Sequence, residues 1–171
     1  MRKVTIAVAF LVAWVFAAPP GWAQKYDDPE HAELAKALKD VKFPLQKGLS
    51  ASAREGRPIS AKYEVDHDKL QLSVYTMKGA KFSEVIVDHT TGKVAKVDPL
   101  TSSEDLTAAK AQSQAMAKAK RSLEAAASEA VKENKGYRVV SVMPALKDGH
   151  PVADVTLVRD SEWKTVPEKL D

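Results

Sequence analysis

The sequence lacks cysteine altogether and contains little glycine. Without cysteine the protein has no disulfide and no thiol chemistry, so its apolar core alone must hold the fold. The seven glycines are dispersed and none clusters before a helix, which argues against a phosphate-binding loop. No Gly-x-Ser-x-Gly turn presents a nucleophile, and the paired carboxylates lie at predicted helix starts, where the helix dipole accounts for them. We therefore expect no enzymatic activity and no cofactor.

A large excess of one charge is also lacking once the N-terminal segment is set apart. The whole chain has 26 basic and 23 acidic residues and a pI near 9.0. Residues 1–23 contain two of the basic residues and none of the acidic ones, which leaves a net charge near +1. A nearly neutral surface offers no electrostatic basis for binding nucleic acid or anionic lipid. The composition thus excludes nucleic acid as an expected partner.

The N-terminal segment has the three parts of an export signal. Two basic residues open the chain, residues 4–18 form an apolar run, and residues 21–23 offer a small-x-small cleavage pattern. A permanent transmembrane anchor is the alternative, but this run of about 15 residues is shorter than the roughly 20 that cross a bilayer as a helix. We predict a signal peptide over residues 1–23, cleaved near Ala23 and Gln24. The mature protein would then be periplasmic or secreted, with no stable membrane insertion.

Hydrophobic periodicity predicts helices at the start of the mature chain and strands after them. A first helix is expected within residues 24–43, where aspartate and proline at 28 and 29 favour a helix start. A second, over 45–54, should end near Gly56. From Ile59 the period changes to two, which is typical of strands. Four strands are expected in this first unit of residues 44–100, over 59–65, 70–74, 82–87 and 94–97.

The second half repeats this order after a long helical stretch. Residues 106–132 contain neither glycine nor proline, and Ser102 with Asp105 resembles a capping box before them. The apolar stripe of this helix recurs every seven residues and comprises Ala109, Met116, Leu123 and Ala130. Gly136 should end the stretch, and strands are expected over 137–143, 152–158 and 162–166. We assign residues 101–121 to a connecting helix and 122–171 to a second, truncated unit.

The shared order of helix, glycine, strand, turn, strand and strand indicates an internal repeat with an offset of about 78 residues. An insertion of about five residues in the second hairpin would then align Leu72 and Val74 with Val155 and Leu157. Chance likeness between two amphipathic units is the alternative. We predict an α+β fold of two α-β-β-β units, each a small antiparallel sheet with a helix on one face, packed in tandem.

Residues 85–94, Val-Ile-Val-Asp-His-Thr-Thr-Gly-Lys-Val, resemble the strand, aspartate-to-glycine turn and valine of the PepSY domain family. These modules occur in propeptides of secreted peptidases and in many exported bacterial proteins. The resemblance implies tandem PepSY-like repeats that bind or restrain a protein partner, commonly a peptidase, and it carries no catalytic residues. It also implies structural roles for four residues at turns and helix ends: Gly56, Asp88, Gly92 and Gly136. The second unit departs from the family because no second Asp-Thr-Gly turn precedes Asp171.

Histidines beside carboxylates raise the question of a metal site. Asp66, His67, Asp68 and His89 are weak candidates, since carboxylate and imidazole are common metal ligands. Neighbouring strand residues face apart, however, so a solvated hairpin turn is the favoured interpretation and we predict no metal. Trp163, the one tryptophan after residue 23, is either a core anchor of the second half or an exposed partner contact.

These observations predict an exported, non-enzymatic protein-binding module. Its partner would be a peptidase or another cell-envelope protein, bound through a sheet edge or through the groove between the halves. The alternative is a periplasmic carrier of a small ligand or metal that uses the histidine turns.

Overall fold

The computed structural model describes residues 29–171, apart from the side chain of Asp40. The predicted signal peptide, its cleavage site and the helix-capping role of Asp28 lie outside these residues. The helices are α1 (Pro29–Ala37), a 3-10 turn (Leu38–Asp40), α2 (Leu45–Ser52), α3 (Ser103–Lys118) and α4 (Leu123–Glu133). The strands are β1 (Arg57–Asp66), β2 (Lys69–Lys78), β3 (Lys81–Val87), β4 (Val94–Pro99), β5 (Arg138–Lys147), β6 (His150–Arg159) and β7 (Glu162–Lys169).

All seven of these strands form one antiparallel sheet in the order β4-β3-β2-β1-β5-β6-β7. The predicted α+β class is confirmed, but the expectation of a small sheet for each half is wrong. The first strands of the two halves pair at the centre, where Ala61 lies opposite Val142 and Lys62 opposite Ser141. This pairing satisfies backbone groups that two separate sheets would each leave exposed at an edge.

Helices α2 and α4 lie side by side on one face of the sheet, which we call the helix-pair face. Gln46 in α2 donates to the carbonyl of Ala127 in α4 (3.5 Å), and Ser50 donates to Glu124 (2.7 Å), so the two helices run in opposite directions. Gly48 allows α2 to approach the sheet, since a Cβ there would lie 2.5 Å from Leu72 Cδ2. The core beneath the pair consists of fully buried strand residues: Ala61, Leu72, Val74, Val85, Val142, Val155 and Leu157.

Helix α3 covers the central strands on the opposite face. Its Gln112 accepts a hydrogen bond from Ser60 (2.7 Å) and contacts the sulfur of Met143. Ser60 precedes the core residue Ala61, and Met143 follows the core residue Val142. Successive strand residues point to opposite faces of the sheet, so Ser60 and Met143 face away from that core. Helices α3 and α4 therefore lie on different faces. None of the helices within residues 29–171 is long and apolar enough to cross a membrane.

The predicted helical stretch over 106–132 is wrong, because the chain changes face within it. The helix stops at Lys118, and the amides of Lys120 and Arg121 donate to the carbonyl of Leu170 (2.6 and 2.9 Å). Ser122 then caps α4 by accepting from the amide of Ala125 (3.1 Å). The stripe of Ala109, Met116, Leu123 and Ala130 is buried throughout, but it is divided between two helices. Propensity alone could not show this break, because the competing acceptor lies about 50 residues away in sequence.

The insertion predicted for the second hairpin is also wrong. Strands β1, β2 and β3 begin at residues 57, 69 and 81, whereas β5, β6 and β7 begin at 138, 150 and 162, a constant difference of 81. Helices α2 and α4 begin at 45 and 123, which differ by 78. The additional three residues therefore lie in α4, which has 11 residues where α2 has eight, and four residues separate each helix from the strand that follows it. Both hairpins have the same length.

Candidate interaction groove

A groove of about 360 Å³ opens where α2 of the first half meets the connection from α3 to α4. It lies between the C-terminal part of α2, the start of β1 and the connection from α3 to α4. Its lining comprises Leu49, Ser50, Ala53, Arg57, Pro58, Met116, Ala119, Lys120, Arg121, Ser122, Leu123 and Glu124. We call this surface the groove.

The groove has an apolar floor that the core holds in place. Leu49, Met116 and Leu123 are each no more than 3% exposed, so they are anchored on the side away from the opening. Ala53 and Ala119 line the walls with short side chains and leave room above this floor. The chain connecting α3 to α4 cannot collapse into the space, because its amides are bound to the carbonyl of Leu170. The groove is therefore a built feature of the fold.

Three cationic side chains, Arg57, Lys120 and Arg121, stand among its lining residues. The Arg57 guanidinium donates to the carbonyl of Met116, and that of Arg121 donates to the carbonyl of Lys169 (2.8 Å). These carbonyl bonds orient the two guanidinium groups without neutralising them. A guanidinium nitrogen of Arg121 also lies 3.8 Å from a carboxylate oxygen of Glu168. Among the lining residues of the groove, Glu124 is the acidic one. Because α4 begins here with the positive end of its dipole, the groove carries a local excess of positive charge.

The metal candidates do not come together. His67 and Asp68 form the β1–β2 turn with positive φ values of 48° and 60°, and His67 Nδ1 lies 2.8 Å from Asp66 Oδ1. His89 belongs to a different turn, between β3 and β4. Within residues 29–171, no group of three or more histidine, aspartate or glutamate side chains is placed to hold a metal ion. Asp66, His67 and Asp68 are exposed at the end of β1 and in the turn after it, whereas His89 is half-buried in the other turn.

Asp88 and Gly92 close the β3–β4 turn. One carboxylate oxygen of Asp88 accepts from the amides of Thr90 (2.8 Å) and Thr91 (3.0 Å), and these bonds lower the pKa of Asp88. The amide of Gly92 donates to the carbonyl of Asp88 (2.7 Å), with a φ of +71° at the glycine. A Cβ at Gly92 would lie 2.8 Å from Phe43 Cδ2 and closer still to the far edge of that ring. The turn is therefore a docking point for the segment before α2.

The segment before α2 is anchored a second time by Tyr63. Its hydroxyl donates to the carbonyl of Phe43, and burial raises the pKa of Tyr63 to about 12. The two other glycines of the family-like pattern have local roles. A Cβ at Gly56 would lie 2.8 Å from the carbonyl oxygen of Met77, and Gly136 has a φ of +86° between α4 and β5.

Trp163 is 3% exposed and packs against His31 of α1 with the two rings nearly perpendicular and their centroids 4.6 Å apart. Of the two interpretations offered by the sequence, the exposed partner contact is wrong and the core anchor agrees with this burial. Trp163 is buried because α1 packs against it. The end of α1 is held in turn by a hydrogen bond from Arg138 to the carbonyl of Leu38.

Two groups of polar residues were not predicted from the sequence. One lies on the sheet face opposite α2, where Ser73 donates to Glu64 (2.8 Å) and burial raises the pKa of Glu84 and of Tyr75. Its members bond to one another, so this group stabilises the sheet. The other group comprises the cations of the groove, among which Arg57 is far in sequence from Lys120 and Arg121. The signal that could have located it is the basic run before the capping Ser122.

No family model matches this chain, and no curated protein matches it. A structural likeness exists to the crystal structure of a putative lipoprotein from Clostridium difficile 630, at 16% sequence identity and a TM-score of 0.44. The likeness covers 79% of this chain and 91% of that one. A likeness this weak carries no argument about function.

Proposed function

We propose that the protein is an exported, non-enzymatic binding module, built from two PepSY-like units in tandem, that holds a segment of a protein partner in the groove. The observation that carries this proposal is the groove itself. It lies at the junction of the two halves and combines an apolar floor with three cationic side chains.

The constant register of the strands supports a tandem of two related units. The β1–β2 pair is irregular at Ile59 and the β5–β6 pair at Val140, and these positions differ by the same 81 residues as the strand starts. The turns also correspond: Asp148 and Gly149 have positive φ values, as His67 and Asp68 do. Since both the central strands and the α2–α4 pair are antiparallel, the units are related by a twofold axis. Duplication explains these coincidences together.

The PepSY-like character of the first unit is supported by the turn that follows β3. Its aspartate accepts hydrogen bonds from two backbone amides and its glycine has a positive φ, so the structural roles that the resemblance implies for both residues have a physical basis here. The second unit ends its sheet at β7 and has no counterpart of β4 among the described residues. The resemblance suggests a peptidase or another cell-envelope protein as the class of partner.

The chemistry of the groove favours an acidic segment of that partner. Guanidinium groups bind carboxylates with paired, charge-assisted hydrogen bonds, and a mixed apolar and cationic pocket selects an acidic residue flanked by apolar ones. Arg57 and Arg121 are already oriented by backbone carbonyls, so less side-chain entropy is lost on binding. The predicted signal peptide over residues 1–23 supports export, and the encounter would then take place in the periplasm or outside the cell.

Site-specific photo-cross-linking tests the proposal. A photoreactive residue at Ala53 lies in the groove, and the same residue at Ala111 lies on an exposed position of α3 outside the groove lining. We expect Ala53 to capture a discrete envelope protein, and an acidic peptide from that protein to compete for the capture. Equal capture from both positions, or capture that the peptide does not reduce, would contradict the proposal.

A further inference from the structure

Strand β4 forms one edge of the sheet and is unusually exposed. Among the described elements, β3 is the strand hydrogen-bonded to it, and no strand pairs with its outer side. Val97, near its middle, is 41% exposed and is one of two large apolar residues on the surface of residues 29–171. An edge of this kind presents unpaired backbone groups that another strand can bind.

The backbone direction at Val97 follows from the hydrogen bond between Leu100 and Phe82. The amide of Leu100 donates to the carbonyl of Phe82 (3.0 Å), in register with the pairs of Asp98 with Glu84 and of Lys96 with Ile86. Hydrogen-bonded and non-hydrogen-bonded pairs alternate in an antiparallel ladder, so Val97 and Val85 form a non-hydrogen-bonded pair. The amide and carbonyl of Val97 therefore point outward, away from β3.

The charges of β4 are symmetrical about Val97. Lys96 and Asp98 flank it on the opposite face and form an ion pair with each other (2.7 Å). When two β4 strands pair antiparallel with Val97 on the twofold axis, Lys96 of each copy lies opposite Asp98 of the other. Such opposed charges stabilise a strand pair, and like charges in the same places destabilise it. Pro99 has no amide to donate and Ala95 lies at a register irregularity of β4, so the regular pairing that the edge offers is centred on residues 96–98.

We propose that β4 is a self-association edge through which two copies of this chain form a twofold dimer with one continuous sheet. Val97 exchanges both of its backbone hydrogen bonds with Val97 of the second copy, and the two exposed side chains bury one another. The opposed pairs of Lys96 and Asp98 select this register. Strands without the same charge order lack this complementarity, so the partner is a second copy of the chain. The groove is lined by other residues, and this inference does not depend on the function proposed for it.

Charge exchange between the two positions tests the proposal directly. In Lys96→Asp the dimer would place two aspartates opposite each other, and in Asp98→Lys two lysines, so each variant alone should dimerise at least about tenfold more weakly than the natural chain. Mixing the two variants in equal amounts restores opposite charges at both contacts. Sedimentation velocity on the processed protein should therefore show monomers in each separate sample and dimers in the mixture. Circular dichroism of each variant confirms its fold.

A second measurement uses the absence of cysteine in the chain. With Val97→Cys, the two sulfur atoms face each other across the axis at a Cα separation of about 5.5 Å, which a disulfide can span. Mild oxidation should yield a covalent dimer, whereas Ser161→Cys in the exposed β6–β7 turn should yield far less. The proposal is overturned if the natural chain stays monomeric at high concentration, if the mixed variants stay monomeric, or if the two cysteine variants cross-link equally.

Discussion

Replacing Gly92 by alanine should destabilise the fold through two separable effects. The first is the backbone cost of a Cβ at a φ of +71°, which is about 1 kcal/mol. The second is displacement of the half-buried Phe43 ring, because the new Cβ would overlap it. Loss of half of the burial of a phenylalanine amounts to about 1 kcal/mol or somewhat more. We expect the free energy of unfolding to fall by about 2–3 kcal/mol, measured by urea denaturation with circular dichroism.

Gly79→Ala is the matched control for this prediction. Gly79 has a φ of +62° in another turn of the same half, and no atom lies within 4 Å of the position of its Cβ. It should lose only the backbone contribution, about 1 kcal/mol. Combining Gly92→Ala with Phe43→Ala removes the overlap, so the two costs should not add. If Gly92→Ala and Gly79→Ala destabilise equally, or if the double variant is additive, the docking of Phe43 on this turn is refuted.

The remaining predictions concern two carboxylates, the N-terminal cap of α4 and Trp163. The pKa of Asp88 in the folded state lies below its ordinary value of 3.8, so its carboxylate stabilises the fold above pH 3.8. This stabilisation is lost as the pH falls through the folded-state pKa. Asp88→Asn should therefore remove this acid dependence of the melting temperature. The pKa of Glu84 in the folded state lies above its ordinary value of 4.5, so its contribution to stability is complete below pH 4.5 and is lost as the pH rises through the folded-state pKa. Glu84→Gln should remove this dependence of the melting temperature on pH, which is opposite in sign to that of Asp88. Ser122→Ala should cost about 1 kcal/mol by removing the cap of α4, while Ser128→Ala on an exposed position of the same helix stays within about 0.5 kcal/mol. Trp163→Ala should cost about 3–5 kcal/mol in urea denaturation, and a loss below about 1 kcal/mol would contradict its role as a core anchor.

Strand alternation proved a sound guide to β1, β2 and β3, since their apolar core residues, such as Leu72 and Val74, alternate beneath the helix pair and a one-residue slip would move them to the other face. The same pattern could not reveal that β1 pairs with β5. Ala61 and Val142 alternate in the same way whether their strands lie at an edge or at the centre, because alternation reports burial of a face and not the identity of a neighbour.

The break between α3 and α4 depends on Leu170, and the burial of Trp163 depends on α1, so both required long-range contacts. The alignment of the two halves was displaced because α4 is three residues longer than α2. Hydrophobic periodicity does not fix the residue at which a helix ends. The groove was predicted only as a location between the halves. Its cations come from two distant segments, the start of β1 and the connection from α3 to α4, and the topology of the sheet brings them together.

The affinity of the cross-linked partner for two charge-reversal variants tests the central claim most directly. Lys120 lines the groove, and Lys135 lies beyond the other end of α4, so Lys120→Glu and Lys135→Glu change the net charge equally at different places. We predict, by titration calorimetry, that Lys120→Glu weakens binding by about tenfold or more, while Lys135→Glu changes it by less than about twofold. Equal weakening by both variants would show that only net charge matters, and unchanged binding to Lys120→Glu would place the partner elsewhere on the molecule.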